Sequence, residues 1–514
     1  MNFMPKTKVK FICFIIALGS ILLGAANINT TMALQSTEAI DDFVNKQMDI
    51  ANIPGLSLAI VKDDQIVYLK GYGKADETNR PVTPQTPFMI GSITKSFTAL
   101  AIRQLVNEGK IDLDKPVIDY IPWFKLSDVN ASRQITVRNL EEHTSGISTK
   151  ASYEYELYND RYSLVQAVQM LERVKPNKPA GEFYQYSNIN YIILGLVVQT
   201  VSGMTYEEYI KNNIFDPLQM ENSFCAESEA LDHGLAKGYQ LYFGLLMPRH
   251  VPYSKALLPA ANLIISSEDM AHYMIAFLNN GKYNDTDITW GSNGSNNADQ
   301  SAFDNGLNYS LNWNPFHWYP SNGYPENAGG YFNYSSDMLF IPEGKWGVVV
   351  LANTNSGTLA SSTIGPISIA NGIAKQFLVP QRYQPAANDI KKVYFVLDFI
   401  ILLILLLLAV QIRNFIKKRN IFYKSRISLV KYYVVSVLIN FIFPLGIIFG
   451  IPRLINNEHP SWATVALFVP DIGYFCIISS GLFLAMGIIK TIHLLVFAKT
   501  SRCEVNSGDA ELKH

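Results

Sequence analysis

Ser92 and Lys95 stand three residues apart in Phe88-Met89-Ile90-Gly91-Ser92-Ile93-Thr94-Lys95-Ser96-Phe97, at the head of a run with helical patterning. Positions i and i+3 share one helix face, so the amine can reach the hydroxyl. A serine hydroxyl is a weak nucleophile near neutral pH, and an amine whose pKa is lowered by burial can take its proton. The helix N-terminus adds a positive field where an oxyanion would form. The spacing alone is common: Ser428 and Lys431 repeat it at a membrane-helix boundary, where it reads as accidental. A second element, Tyr186-Ser187-Asn188, offers a phenol to shuttle a proton beside a lysine and an amide to donate to a substrate carbonyl. The third, Glu326-Asn327-Ala328-Gly329-Gly330, brings adjacent glycines into a strand, where a substrate backbone can lie close and a main-chain N–H can face it.

Read together and in order, these elements resemble the penicillin-recognising serine hydrolases. In particular they resemble the class C β-lactamase-like branch, with its D-Ala-D-Ala carboxypeptidases, D-aminopeptidases and esterases. The resemblance covers roughly residues 36 to 380. It extends through Ile53-Pro54-Gly55-Leu56-Ser57, Gly71-Tyr72-Gly73, Gly91 to Thr98, His143-Thr144-Ser145-Gly146-Ile147, Tyr186 to Tyr191, and Phe215-Asp216-Pro217-Leu218-Gln219-Met220. It implies Ser92 as the acylated nucleophile, Lys95 and Tyr186 as the proton-transfer pair, and Asn188 as a binder of the substrate amide carbonyl. It also implies an oxyanion hole built from the N–H groups of Ser92 and Gly330, with no metal and no cofactor. His143, tempting as a base, falls in a stretch that is structural in the family.

One triplet departs from the family pattern. Where relatives read Lys-Thr-Gly or His-x-Gly, this chain has Asn327-Ala328-Gly329, without the cation or the hydroxyl that meet the substrate carboxylate. A charge-assisted hydrogen bond contributes about 1.5 to 3 kcal/mol, roughly ten- to more than a hundredfold in affinity. Its loss predicts weak hydrolysis of penicillins, while acyl-enzyme chemistry on a peptide, amide or ester is still expected. The implied substrate is a small molecule or peptide of cell-wall type, D-amino-acyl or ester. The competing reading is a degenerate, non-catalytic ligand-binding or signalling ectodomain on a membrane anchor.

The elements that must position these groups are partly legible. Leu56 to Lys62 and Gln65 to Lys70 flank Asp63-Asp64 as a hairpin, and Asp337 to Ile341 and Trp346 to Ala352 form another near the far end. Between them the pattern is helical: Ile93 to Glu108 closes at Gly109, and Asn190 to Ser202 closes at Gly203. The expected fold is therefore α/β (α+β): an antiparallel sheet whose first and last strands meet, flanked by helices, plus an all-helical subdomain. Gly291 to Asn308 reads as a surface insertion.

With 514 residues, more than one structural unit is expected. Residues 1–33 read as a signal peptide, cleaved near Ala26 or Ala33, or as a retained anchor, and 35–386 as the hydrolase domain. Residues 387–490 read as a membrane region with three spans, near Val393 to Ile412, Leu429 to Gly450 and Ala463 to Ile489, and 491–514 as a tail. Arg413, Lys417, Lys418, Arg419, Lys424 and Arg426 fill the first connection, whereas Arg453 is the one basic residue of the second. The positive-inside rule puts the first connection and the tail in the cytoplasm and the large domain outside. Asp398 and Asp471, inside the expected spans, are functional suspects by position. A formal charge of −1 gives no field to hold a nucleic acid. The cysteines, Cys13, Cys225, Cys476 and Cys503, are too scattered for a disulfide framework or a cysteine metal site.

Overall fold

The computed structural model describes residues 37–148, 160–289, 326–341, 344–355, 365–378, 390–418, 434, 437–455, 462 and 473–492. The expected signal segment, the Gly291 to Asn308 insertion, Ser428, Asp471 and the tail lie outside them.

Ten elements carry the argument: α1 (Thr37–Ala51), β1 (Gly55–Lys62), β2 (Gln65–Gly73), α2 (Thr94–Asn107), α3 (Asn188–Ser202), α4 (Ser267–Leu278), β3 (Glu326–Gly330), β4 (Ser335–Ile341), β5 (Trp346–Ala352) and α5 (Pro366–Ile373). The five strands form one sheet in the order β3-β4-β5-β1-β2. As expected from the two hairpins, the first strand meets the last: β1 pairs antiparallel with β5, Leu56 opposite Ala352 through Lys62 opposite Trp346.

Strand periodicity divides the core in two. Leu56, Leu58 and Ile60 of β1, Leu339 and Ile341 of β4, and Val348 and Val350 of β5 point to an outer core. They pack there with Ile40, Val44 and Met48 of α1 and Ile369 and Ile373 of α5. The alternate residues Ala59, Val61, Met338, Phe340, Val349 and Leu351 point to an inner core built with α2, α3 and α4. Both faces of the sheet are thus covered, and the central strands β1 and β5 are apolar nearly throughout. Within the inner core, Phe97 of α2 stacks on Tyr273 of α4 with ring centroids 4.0 Å apart. Helix α3 is apolar on nearly every side because eleven of its residues are buried.

The helices begin and end close to where their sequences predict. A 3₁₀ turn over Gly91–Ile93 precedes α2, so Ser92 sits on that turn rather than inside the helix proper. Helix α3 starts at Asn188, two residues before the expected Asn190, and ends at Gly203 in a left-handed conformation. Among the described residues, the regular elements from α2 through α3 and on to Tyr206–Ile210 are all helical, in line with the expected all-helical subdomain.

In the C-terminal part, the described residues hold two helices long and apolar enough to cross a bilayer, Asp398–Lys417 and Gly473–Ile492. The middle expected span appears as a shorter apolar helix, Leu438–Gly450, and the start of that span lies outside the described residues. Among the described residues, two such helices are present where three were predicted. They touch through Lys490, whose Nζ donates to Gln411 Oε1 at 2.7 Å. Asp398 is exposed on the first of them.

Candidate active site

Three elements bring the polar groups together: the turn leading into α2, the loop before α3, and the edge strand β3. Lys95 is the second residue of α2, one turn on from Ser92, and is fully buried. Its Nζ lies 3.1 Å from Ser92 Oγ, 2.7 Å from Tyr186 Oη and 2.7 Å from the carbonyl oxygen of Ala260. Ser92 Oγ and Tyr186 Oη are 2.8 Å apart, which closes a triangle of hydroxyl, phenol and amine. Tyr186 Oη also donates to Asn188 Oδ1 at 3.2 Å. Ser92 and Lys95 from one stretch and Tyr186 and Asn188 from another, more than 90 residues on, are thus one hydrogen-bonded cluster.

Burial holds the Lys95 amine well below the usual lysine range, because removal from water disfavours its charged form. A protonated amine has three N–H donors, matching Ser92, Tyr186 and the Ala260 carbonyl. The neutral amine keeps two and turns its lone pair to a hydroxyl, the arrangement that accepts a proton. The Nζ also lies 4.9 Å from the Tyr186 ring centroid and 5.7 Å from that of Tyr191, which partly offsets the cost of a transient charge.

The third motif supplies the opposite wall. Asn327 stands opposite Met338 and Gly329 opposite Ser336, so both face the inner side of the sheet. Gly329 is required there: a Cβ would meet the Ile90 carbonyl oxygen at 2.0 Å. That carbonyl also accepts from Ser336 Oγ at 2.7 Å, tying β4 to the turn that bears Ser92. Gly91 has φ +55°, and a Cβ on it would lie 2.6 Å from the Gly330 nitrogen. Tyr331 N–H donates to the Tyr334 carbonyl at 2.9 Å. By the alternation of an antiparallel ladder, the next pair, Gly330 with Ser335, is not bonded, and the Gly330 N–H points past the sheet edge beside Ser92. Asn327 is 2% exposed, and neither amide atom has a hydrogen-bond partner.

His143 is not part of the triangle, in keeping with its expected structural place. Its Nδ1 lies 3.1 Å from the Ser187 N–H and accepts from it, and lies 3.0 Å from Asn190 Nδ2. Its carbonyl accepts from the Gln185 N–H at 2.7 Å, and its ring lies 4.7 Å from that of Tyr186. Burial and the nearby Lys95 keep the imidazole neutral by pushing its pKa well down. His143 therefore fixes the backbone on both sides of Tyr186. The Ala260 carbonyl and Ser336 carried no signal in the sequence. Among the described residues no group of three or more His, Cys, Asp or Glu could hold a metal ion.

Residues 40–364 match the family model described as Beta-lactamase. Protein flp of Staphylococcus aureus (strain MW2) is 30% identical over 327 residues, 62% of this chain and 64% of its own length. The chain thus spans about 64% of the length of that relative. Teichoic acid D-alanine hydrolase of Staphylococcus aureus is 34% identical over 184 residues, 36% of this chain and 44% of its own. Among solved structures, the octameric penicillin-binding protein homologue from Pyrococcus abyssi superposes with a TM-score of 0.54 at 28% identity, covering 66% of this chain and 77% of that one. A mutant class C beta-lactamase gives 0.52 at 22% identity, over 66% and 97%, a likeness of fold alone.

Two outcomes are expected from this geometry. The folded protein binds the Lys95 proton less tightly than the unfolded chain, so lowering the pH through the depressed pKa charges the buried amine. The rate at which Ser92 reacts with a fluorophosphonate should fall on that acid limb, below the ordinary lysine range, and Lys95→Arg, permanently charged, should not react measurably. Replacing His143 with Ala leaves the buried Ser187 N–H without an acceptor. The change should lower stability by about 1 to 3 kcal/mol, read as a drop in thermal midpoint.

Proposed function

The chain belongs to the beta-lactamase family, and on that premise we propose that it is a membrane-tethered extracellular serine hydrolase forming an acyl-enzyme on Ser92. Its substrates are cell-wall D-amino-acyl peptides, amides or esters. The observation that carries this reading is the triangle of Ser92, Lys95 and Tyr186, with every edge between 2.7 and 3.1 Å, around an amine kept from water.

In the proposed reaction Ser92 Oγ attacks the acyl carbonyl while its proton passes to neutral Lys95, directly or through Tyr186. The tetrahedral oxyanion forms between the N–H groups of Ser92 and Gly330, and in donors with an amide on the acyl side Asn188 holds its carbonyl. Tyr186, recharged by Lys95, protonates the departing amine or alcohol. Water then repeats the sequence on the acyl-serine, and the acid product leaves. No step draws on a metal or a cofactor.

Asn327 narrows the substrate. A buried neutral amide takes the place of the family's cation, which favours acyl donors without a carboxylate at that point, such as D-alanyl esters. The name of the relative teichoic acid D-alanine hydrolase supports that class. The proposed arrangement is a hydrolase domain over residues 35–386 outside the cell, three membrane crossings within 387–490, and a cytoplasmic tail at 491–514. The two long apolar helices and the basic connection after Ile412 support it.

Membranes carrying the full chain should be labelled by a fluorophosphonate and only weakly by a fluorescent penicillin. Ser92→Ala should abolish the labelling, and Lys95→Ala should slow it about a hundredfold or more. Absence of labelling by both reagents in the intact protein would favour the non-catalytic ectodomain. Replacing Asn327 with His should tighten binding of carboxylate-bearing acyl donors by about tenfold or more, read as KM. Unchanged kinetics on such donors would count against the assignment of this triplet.

A further inference from the structure

Strands β3 and β4 set two carboxyl groups side by side on the sheet face turned away from Ser92. Ala328 stands opposite Asp337, so Glu326, two residues earlier on β3, is the diagonal neighbour of Asp337 on the outer face. Asp337 is completely buried; the Met338 N–H beside it favours its charged form, no side-chain donor meets either of its oxygens, and the side chain against it is that of Glu326. Glu326 Oε1 accepts from Asn371 Nδ2 of α5 at 2.6 Å, which leaves its other oxygen for Asp337. A carboxylate can only accept. Two ionised groups here would be buried like charges with no proton between them, an arrangement that burial penalises heavily.

We propose that Glu326 and Asp337 share one proton, and that the resulting carboxyl–carboxylate hydrogen bond is a positioning latch that holds β3, and with it the Gly330 amide, against β4. The latch matters because β3 is a strand of five residues whose sheet neighbour, among the described residues, is β4 alone. One face of this strand bears the groups turned to the site, Asn327 and Gly329, and the other bears the latch. Burial raises the pKa of both acids, and the neighbouring Glu326 raises that of Asp337 further. Asn371 from α5 and Lys375 from the turn after it face Glu326, and the Lys375 charge acts in the opposite direction. The folded protein holds the shared proton more tightly than the unfolded chain does, so the stability it contributes is complete at low pH. That stability falls as pH rises from the ordinary carboxylate range through the raised value.

The test uses the full chain and two substitutions. Asp337→Asn keeps a donor toward Glu326 without titrating, and Asp337→Val removes the hydrogen bond at similar volume. The infrared difference spectrum between the native protein and Asp337→Asn should show one protonated carboxyl band lost at neutral pH. The thermal midpoint of the native protein should fall from mildly acidic to mildly alkaline pH more steeply than that of Asp337→Asn. Fluorophosphonate reaction at Ser92 should stay within about twofold in Asp337→Asn and slow by about tenfold or more in Asp337→Val, because a donor displaced by a fraction of an ångström loses much of its effect. An unchanged infrared band, or equal pH slopes, overturns the shared proton. A native rate in Asp337→Val with the band lost overturns the positioning role. The rate arm rests on the proposed use of the Gly330 amide, whereas the band and the thermal midpoint need no reaction at Ser92. Failure of that functional reading and failure of the latch are therefore distinguishable.

Discussion

The burial of one primary amine is the constraint around which this domain is arranged. An ammonium group inside a protein core is costly unless its charge is compensated, and burial holds the Lys95 pKa well down. The fold supplies instead a carbonyl from Ala260, two hydroxyl groups and two aromatic faces, enough to satisfy the amine without stabilising its charge fully. A carboxylate partner would have secured Lys95 as a permanent cation and removed its capacity to accept a proton.

Close approach of main chain does the second part of the work. The turn bearing Ser92 and the edge strand β3 meet with so little space that Gly91 and Gly329 cannot carry a side chain. The Ser336 hydroxyl fastens the same turn to β4. The sheet is a rigid bar with α1 and α5 on one side and α2, α3 and α4 on the other. A shift on its outer face is therefore felt at its inner one, as expected for a closely packed interior.

The parts of this arrangement legible in the sequence are those that depend on residue type. Ser92, Lys95, Tyr186, Asn188 and the glycines of β3 have side chains, or a lack of them, that few other residues could replace, and their spacing survives in one dimension. Both hairpins and the ends of α2 and α3 could be read because turns and caps have their own chemistry. The Ala260 carbonyl was not legible, since any residue offers one. His143 could be placed as structural, but its bonds to Ser187 and Asn190 depend on how a loop and a helix end fold together. The neighbourhood of Glu326 and Asp337 depends on strand register, which no local pattern encodes. Apolar length alone predicted three full spans, whereas the described residues hold two, with a shorter helix over Leu438–Gly450.

The strand order also bears on how such a chain is made. β1, synthesised early, lies between β2 and β5, and Leu56 faces a partner in Ala352, roughly 300 residues further along. The sheet cannot close until nearly the whole domain has emerged. The pocket for Lys95, walled by that sheet, is therefore assembled only at the end.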